Sequence, residues 1–405
     1  MTARPHLRGF ARRLLFAIAL LASMACLAEA SSAQVIAGPK GFVDDRDAAL
    51  ASDGKRLWIA TTGMTRRNTT RTRVSVRQGG RWVQVGPLLT TDTGYGTHLF
   101  LRRAPGGDRE ICLARMVRRD RPEIACRRNG RWVELALPGP FRKFSLYDVQ
   151  QIGGRSLVLL RRDHRGARGS VSQIRLARLE GDRIVPLKAR IDRPGLWLPE
   201  FVQATTSTPG QRLELDLMEM NRGIRVIVAR HGSRWTYSKP LTTGLGPLTN
   251  RSTATVRSGS SLIAPLVTMW DVPDGYGGRQ TTVGSFVLRK LSGGSWSPAG
   301  EEIGTGFGTP QGGIYAIGNE IWALWQENDY YGVAFGGGLR TRVFAGRLKA
   351  DGSGFDRELT LWTGRAFFPV QLGAIQHRGA PVFLYQRQLT PRSGLRTFVD
   401  LTAGR

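Results

Sequence analysis

Short segments of alternating apolar and polar residues cover the chain from about residue 41 onward, and glycine-rich turns separate them. Leu57–Ala60 and Val74–Val76, for example, lie between the turns at Asp53-Gly54 and Gly79-Gly80. A period of two, bounded by Gly, Asp and Asn, is typical of β-strands joined by tight turns. Because no helical periodicity of useful length follows the N-terminal segment, the pattern predicts an all-β protein.

One phrase recurs along these strands: a Gly or Asn turn, then Arg or Ser, then Trp, then alternating residues. The residues that mark it are Trp82, Trp132, Trp235 and Trp296. They are separated by 50, 103 and 61 residues, and the double gap contains the same turn at Gly181-Asp182, followed by Ile184. This recurrence predicts repeated units that bury their faces against each other, with each Trp on an outer strand packed against the next unit.

A unit of about 50 residues with four short strands has the size of a β-propeller blade. Six units are predicted at 41–88, 89–138, 139–192, 193–246, 247–304 and 305–361. A seventh, from 367 to 401, has three strands, and Gln34–Ala37 would supply its fourth strand, close the ring and remove an exposed sheet edge. The sequence therefore predicts one propeller domain over residues 34–405 with seven four-stranded blades, six and eight being the alternatives.

Residues 1–33 have the features of a secretory signal peptide. Several arginines precede the apolar run Leu14–Ala22, which is too short to span a bilayer, and Ala28–Ala30 or Ser31–Ala33 offers a cleavage site. We therefore expect a secreted or extracytoplasmic protein without a transmembrane anchor. A twin-arginine signal and lipid modification of Cys26 are alternatives.

Removal of this segment leaves two cysteines, Cys112 and Cys126. They lie in two predicted strands around the turn Arg118–Pro122, so a hairpin would place them opposite each other. An even pair in an exported chain favours a disulfide, which would stabilise the fold by about 3 kcal/mol for a loop of this length. Two free buried thiols are the alternative.

The formal net charge is +28, and it is +25 without residues 1–30, which contain four Arg and one Glu. Of the 59 basic residues 52 are arginine, whose planar fork suits carboxylate, sulfate and phosphate groups. A GC-rich genome also enriches arginine through codon use. Clustering of the arginines therefore decides between a binding function and composition alone.

In a propeller, the loop between the second and third strands of each blade emerges on the same side as the connections between blades. Arginines gather in these loops in blades seven, one, two and three, which are consecutive around a closed ring. The predicted arc consists of Arg66, Arg67, Arg71, Arg73, Arg118, Arg119, Arg121, Arg161, Arg162, Arg165, Arg387, Arg392 and Arg396.

The corresponding loops of blades five and six are long and aromatic, and they contribute Trp270, Tyr276, Tyr330 and Tyr331. Guanidinium groups suit the acid groups of a polymer, and aromatic faces suit sugar rings. The sequence therefore predicts a binding protein for an anionic polysaccharide or cell-envelope polymer. Nucleic acid is an alternative ligand, and a monomer is the default expectation.

Polar residues that would suit catalysis lie on or near the predicted inner strands: Asp44, Asp45, Asp47, His98, Tyr147, Asp148 and Glu200. Glycoside hydrolysis needs two carboxylates beside the bound sugar, and the candidates are Asp45 or Asp47 with Glu200 and Tyr147. In its layout the chain resembles the secreted sialidase-type propellers, which implies a glycan-active hydrolase or lyase as the alternative function. It lacks the repeated Ser-x-Asp-x-Gly-x-x-Trp turns of that family, so no active site is carried over, and a protein-interaction scaffold is the second alternative.

The sequence contains no motif typical of a metal site, a serine nucleophile or a phosphate-binding loop. The histidines that follow the signal segment, His98, His164, His231 and His377, do not have metal-ligand spacing. A Gly-x-Ser-x-Gly elbow and a phosphate-binding glycine loop are both lacking. We therefore expect neither a metal nor a cofactor.

Overall fold

The computed structural model of the chain consists almost entirely of β-strands. It describes residues 35–37, 42–91, 96–104, 106–118, 121–152, 155–166, 169–194, 196–201, 203–204, 212–219, 222–231, 234–237, 241–242, 255–258, 261–273, 280–292, 295–299, 303–307, 312–331, 338–349, 352–365, 372–388 and 394–401. The predicted signal peptide lies outside these ranges and stays a prediction. No helix within them is long and apolar enough to cross a membrane.

The first strands form three sheets, to which a short N-terminal strand, β1 (Val35–Ala37), does not belong. Sheet 1 contains β2 (Asp44–Ser52), β3 (Leu57–Met64), β4 (Thr70–Gln78), β5 (Arg81–Gln84) and the short β6 (Leu89–Thr90) beside β4. Sheet 2 contains β7 (His98–Arg103), β8 (Arg109–Arg118), β9 (Arg121–Arg128) and β10 (Arg131–Glu134). After a 3-10 turn at Gly139–Phe141, sheet 3 contains β11 (Ser145–Ile152), β12 (Arg155–Gly166), β13 (Gly169–Glu180) and β14 (Arg183–Pro194).

The remaining strands form four further sheets. Sheets 4 and 5 are built from β15 (Leu196–Phe201), β16 (Gln203–Ala204), β17 (Arg212–Glu219), β18 (Arg222–His231), β19 (Arg234–Tyr237), β20 (Leu241–Thr242), β21 (Val256–Ser258), β22 (Ser261–Pro273), β23 (Gln280–Ser292), β24 (Ser295–Pro298) and β25 (Ile303–Phe307). Of these, β16 and β21–β25 belong to sheet 5, where β16 pairs in parallel with β21. Sheets 6 and 7 are built from β26 (Gly312–Ile317), β27 (Glu320–Tyr331), β28 (Gly338–Leu348), β29 (Phe355–Arg365), β30 (Leu372–His377), β31 (Ala380–Gln388) and β32 (Leu395–Asp400).

The sheets have the strand order of propeller blades. Within the described residues each sheet except sheet 5 runs from a first, inner strand through antiparallel neighbours. The inner strands of sheets 1, 2, 3 and 4 contact each other in turn, as do those of sheets 5, 6, 7 and 1. In sheet 7 the outermost position is taken by β1, which pairs antiparallel with β32 so that Val35 lies opposite Asp400. The predicted all-β propeller with four-stranded blades is confirmed.

The apolar core is divided into clusters that lie between neighbouring sheets. Leu57 and Ile59 face sheet 7, whereas Trp58 and Ala60, on the same strand, face sheet 2. Because successive side chains of a strand point to opposite faces, a sheet with a neighbour on each side buries both sets. This explains why β3 is buried along almost its whole length, as the continuous apolar segment in the sequence indicates.

The Trp residues of the repeated phrase have the structural role predicted, but in the opposite direction. Trp132, on the outer strand of sheet 2, packs into the cluster shared with sheet 1, and its Nε1 donates to the carbonyl of Val85 at 3.4 Å. Trp82 of sheet 1 packs in the same way toward sheet 7. For Trp82 and Trp132 the predicted contact with the next unit was wrong, because the outer strand presents this side chain to the preceding sheet; the side chains of Trp235 and Trp296 lie outside the described set.

The predicted disulfide is confirmed. Cys112 on β8 lies directly opposite Cys126 on β9, and the two form a disulfide that is fully buried between sheets 2 and 3. Glu110 lies within 4.8 Å of both sulfur atoms. Since the sulfurs are bonded to each other, this group offers no thiolate to a metal ion.

Candidate functional site

One end of the sheets carries the turns between second and third strands, and we call it the loop face. These turns follow the pairs Met64–Thr70, Arg118–Arg121 and Gly166–Gly169, and the first strands begin at the same end, where Asp44 pairs with Met64 and Ser145 with Arg161. The loop face therefore brings together the predicted arginine loops and the predicted inner-strand acids.

The acids at the start of β2 fasten sheet 1 to both of its neighbours. Asp45 Oδ2 accepts the backbone N–H of Thr397 in sheet 7 at 2.8 Å, and Asp47 Oδ2 accepts that of Thr97, beside sheet 2, at 2.8 Å. The two carboxylates are 2% and 5% exposed. A β-bulge between them shifts the register by one residue, so that residues two apart reach opposite neighbours.

Asp45 has an unusual environment for a carboxylate. Burial raises its pKa to about 6, although hydrogen bonds from Thr397 and the charge of Arg396 oppose this shift. Its Oδ1 is buried without a protein hydrogen-bond partner. Four further side-chain atoms of sheet 1, on the side that faces sheet 7, are also buried without a protein hydrogen-bond partner: Thr61 Oγ1, Arg73 Nε, Ser75 Oγ and Trp82 Nε1. The junction of sheets 7 and 1 is thus more polar than an ordinary core.

Several arginines near the loop face are held against aromatic rings. The distances from guanidinium carbon to ring centroid are 5.3 Å for Arg73 and Phe42, 5.5 Å for Arg161 and Tyr147, 5.7 Å for Arg342 and Phe344, and 4.0 Å for Arg387 and Phe398. Such contacts orient a cation without neutralising it. Arg161 and Arg342 also pair with the carboxylates of Asp163 and Glu327, whereas Arg73 and Arg387 have no ion-pair partner in the described part of the chain.

Phe42 connects two of the cations at the junction of sheets 7 and 1. Its ring lies beside Arg73, and its carbonyl accepts a hydrogen bond from Arg396 Nη1. Burial lowers the pKa of Arg73, and the charge of Asp45 opposes that effect. Half-buried cations with so few acidic neighbours create a positive potential at this part of the loop face.

A second polar cluster lies where sheets 2 and 3 meet at the loop face. His98 begins β7, and its Nδ1 is 3.9 Å from Asp148 Oδ1 on β11. The adjacent Tyr147 hydroxyl accepts a hydrogen bond from Arg161 Nη1 at 2.7 Å, and Arg161 also binds Asp163. The His98–Asp148 and Tyr147–Arg161 pairs thus lie at the loop-face end of sheets 2 and 3 and offer an imidazole and a phenol, which can transfer protons, and a guanidinium, which can bind an anion.

The rest of the predicted arc is only partly described. Arg66 and Arg67 are exposed in the β3–β4 turn. Arg71 donates a hydrogen bond to Thr90 Oγ1, and Arg121 Nη2 is 3.7 Å from Glu134 Oε1. Arg162 is half-buried. Side chains outside the described set are those of Arg118, Arg165, Glu200, Trp270, Tyr330 and Tyr331, whose backbones lie in strands, and Arg119, Tyr276 and Arg392 lie outside the described residues altogether. These positions stay predictions.

Exposed arginines are not confined to the loop face. The opposite end carries Arg81, Arg103, Arg109, Arg131, Arg155 and Arg183. At the opposite end Arg56 also lies over a ring, that of Trp58 at 4.8 Å, but it pairs with Asp53. Arg73 and Arg387 differ in having a ring contact without an ion pair in the described part of the chain.

A network at the opposite end was not predicted from the sequence. Glu110 and Arg102 are buried, and Arg128 and Asp182 complete the group, which joins sheet 2 to the β13–β14 turn of sheet 3. Burial opposes ionisation of Glu110, but hydrogen bonds from Arg128 and Arg102 outweigh it and lower the pKa of Glu110. The role of this network is to fix neighbouring sheets.

A scan of the chain against protein-family models gave no match, and neither did a search of curated proteins. Among solved structures, the chain is similar to a polysaccharide lyase of family PL25, an ulvan lyase, with 11% identity and a TM-score of 0.53 over 90% of this chain and 94% of the lyase. The structure of a PL25 ulvan lyase bound to -[GlcA(1-4)Rha3S]- gives 11% identity and a TM-score of 0.51, over 89% and 93% of the two chains. The propeller domain of the trilobed protease from Pyrococcus furiosus is similar at 8% identity and a TM-score of 0.42, over 87% and 94%. At 11% identity the likeness to the two lyase structures shows the fold alone.

Proposed function

We propose that this protein binds an acidic polysaccharide on its loop face. One observation carries the proposal: at the loop-face end of sheet 7, three arginines are held by aromatic rings and a main-chain carbonyl instead of by carboxylates. Arg73 and Arg396 lie at the junction with sheet 1, and Arg387 lies on the side that faces sheet 6. A cation whose position is fixed while its charge is not balanced loses little entropy when it binds an anion. Arg66 and Arg67 extend the same surface at the tip of the β3–β4 turn.

The class of ligand is supported by the fold and by the chemistry of the site. Guanidinium groups recognise carboxylate and sulfate in a fork geometry, and uronates and sulfated sugars carry these groups. The ulvan lyase structures, one of them with a bound saccharide, place glycan chemistry on a similar fold. We propose the same class of ligand for this chain.

The proposal treats the seven sheets as the blades of one ring that β1 closes. The pairing of β1 with β32, and the contacts of β2 with β30, support this arrangement. Deletion of residues 35–37 should then expose the edge of β32 and lower the midpoint of thermal unfolding. If the midpoint stays unchanged, β1 does not contribute to closure.

The proposal also places the protein outside the cytoplasm, by way of the predicted signal peptide at 1–33. The buried disulfide is compatible with an oxidising compartment. Mass spectrometry of the mature protein from its native host should find an N-terminus near residue 31 or 34. A cytoplasmic chain that retains Met1 would contradict export.

A binding screen tests the main proposal. Alginate, dextran sulfate, neutral dextran and duplex DNA are titrated into the full mature chain by calorimetry at about 50 mM and about 200 mM NaCl. If about three arginines engage the polymer, its affinity should fall at least tenfold between these salt concentrations, and neutral dextran should not bind. Affinity that is independent of salt, or equal for neutral dextran, overturns the proposal; binding restricted to DNA would identify a nucleic-acid ligand instead.

Cleavage of the bound polysaccharide is the second candidate function. It is favoured by two neighbouring polar pairs, His98–Asp148 and Tyr147–Arg161, the second with its phenol oxygen and guanidinium nitrogen 2.7 Å apart. Asp45 and Asp47, by contrast, both accept backbone N–H groups of neighbouring sheets. Incubation with alginate should release an ultraviolet-absorbing unsaturated uronate if the protein is a lyase, or new reducing ends without that absorbance if it is a hydrolase. Binding without either product leaves the protein as a binding protein.

A further inference from the structure

We propose that Arg387 and Arg396 form the subsite that holds one carboxylate or sulfate group of the acidic saccharide. This inference rests on the proposed function and assigns its main anchoring point. It follows from the strand register, from the way both side chains are held, and from the charges around them.

The register places the two cations next to each other. Arg387 on β31 pairs directly with Arg396 on β32, at the loop-face end of sheet 7. Directly opposite residues of antiparallel strands have Cβ atoms about 5 Å apart and project from the same face, and like charges in this arrangement repel. The two preceding pairs on the strands, Tyr385–Phe398 and Gln386–Thr397, carry no charge. An anion bound between the arginines would relieve the repulsion.

Both guanidinium groups are positioned by contacts that leave their charge unbalanced. The guanidinium carbon of Arg387 lies 4.0 Å from the ring centroid of Phe398 and 5.6 Å from that of Trp362 in sheet 6. Arg396 donates to the carbonyl of Phe42. In the described part of the chain neither forms an ion pair with a carboxylate, and Arg387 donates no hydrogen bond to protein. Binding of an anion would therefore break no existing ion pair.

The nearby acids are already engaged. Asp44 Oδ1 accepts the N–H of Leu395 at 2.8 Å, and its Oδ2 is 3.7 Å from Arg46 Nε. The buried Asp45 accepts the N–H of Thr397. Counting Arg387 on the side of sheet 6, this part of the loop face has four arginines, Arg46, Arg73, Arg387 and Arg396, against two aspartates, so an excess of positive charge remains for a ligand.

Substitution of Arg387 tests the subsite. Arg387→Gln and Arg387→Lys are titrated with alginate and with dextran sulfate, which separate carboxylate from sulfate recognition. Loss of a charge-assisted hydrogen bond should weaken binding by about 10- to 100-fold for Gln. The Lys variant should also weaken binding, since it keeps the charge but loses the planar fork. A matched control, Arg81→Gln/Arg131→Gln, removes two exposed arginines from the outer strands at the opposite end and should change the affinity by less than about twofold.

The outcomes separate this inference from the proposed function. If the wild-type chain binds neither polymer, the proposed function fails. If the wild-type chain binds a polymer, and Arg387→Gln and Arg387→Lys bind it with the same affinity as the wild type, the subsite is wrong and the general function stands. Equal losses in Arg387→Gln and the control would show an effect of net charge, which also overturns the subsite.

A measurement on the wild-type chain guards against misfolded variants, since Arg387 contacts two aromatic rings. Phenylglyoxal modifies accessible arginines, and mass spectrometry locates the modified positions. Saturating alginate or dextran sulfate should protect Arg387 and Arg396 at least about fivefold more than Arg131, if the ligand covers them. Equal rates of modification with and without the polymer would overturn the subsite.

Discussion

Replacement of Asp45 by Asn should change how the free energy of unfolding of this protein depends on pH. Asp45 lies 2% exposed between sheets 1 and 7, where its Oδ2 accepts the N–H of Thr397 and its Oδ1 has no protein partner. Burial raises its pKa to about 6 in the folded chain. An asparagine side chain has almost the same shape, keeps an oxygen for Thr397 and cannot ionise.

The sign follows from the two states of the carboxyl group. Below about pH 4 it is protonated in both the folded and the unfolded chain, so it causes no electrostatic penalty. Between about pH 4 and 6 the unfolded chain releases the proton while the folded chain retains it, so the stability of the wild type falls as pH rises. Above pH 6 this loss is complete. A difference of about 2 pKa units corresponds to about 3 kcal/mol, as an order of magnitude.

The assay is equilibrium urea unfolding of wild type and Asp45→Asn at pH 4, 5, 6 and 7. The stability of the variant relative to the wild type should increase by up to about 3 kcal/mol from pH 4 to pH 7. Asp53→Asn is the control of opposite sign: burial opposes ionisation of Asp53, but hydrogen bonds from the Arg56 and Lys55 backbone outweigh it and lower its pKa. Because a lowered pKa contributes its stability as pH rises to about 4, that variant should be less stable than the wild type by a nearly constant amount from pH 4 to 7. A difference between Asp45→Asn and wild type that is constant from pH 4 to 7 would refute the reasoning.

Three further substitutions test the packing between sheets by urea unfolding. Cys112→Ser/Cys126→Ser should lose about 3 kcal/mol of unfolding free energy. A reductant should lower the urea midpoint of the wild type and leave that of the variant unchanged. Equal midpoints of wild type and variant without reductant would contradict the prediction. Gly86→Ala should destabilise more than Gly80→Ala: both have a left-handed backbone, with φ of 78° and 77°, but only at Gly86 does an added Cβ lie 2.8 Å from Trp132 Nε1. Equal effects would show that the Trp moves freely. Glu110→Gln should cost about 3 to 5 kcal/mol, because it removes the buried carboxylate that pairs with Arg102 and leaves that cation only the exposed Asp182, and a loss below about 1 kcal/mol would contradict that role.

The sequence was sufficient to predict an all-β propeller because strand and turn signals recur along the chain and the Trp phrase marks four of the units. Alternation and turns define the strands, and the Gly-Arg-Trp phrase gives the spacing of the sheets. The cysteine pair could be predicted for the same reason, since its two strands form one hairpin. The direction in which Trp82 and Trp132 pack was not accessible, because both faces of a blade are apolar and the local pattern is the same for either neighbour.

The roles of the acids on β2 could not be read from sequence either. Asp45 and Asp47 were predicted on or near an inner strand, and the structure places them on β2. Their side chains point to opposite neighbouring sheets because of a one-residue bulge, which no local sequence motif predicts. Their partners, Thr397 and Thr97, lie far along the chain or in an unmarked connection. Contacts of this kind are set by register and ring geometry, which a single sequence leaves open.

The same distinction bears on the excess of arginine. Codon composition adds arginine where it costs little stability, and exposed positions on outer strands, such as Arg81 and Arg131, are of that kind. A pair such as Arg387 and Arg396 is different, because two half-buried cations directly opposite each other, without a carboxylate partner in the described residues, destabilise the folded chain. Drift in composition does not account for an arrangement that lowers stability at a specific place. The binding of an anion does account for it, so this pair carries more information about function than the net charge of the whole chain.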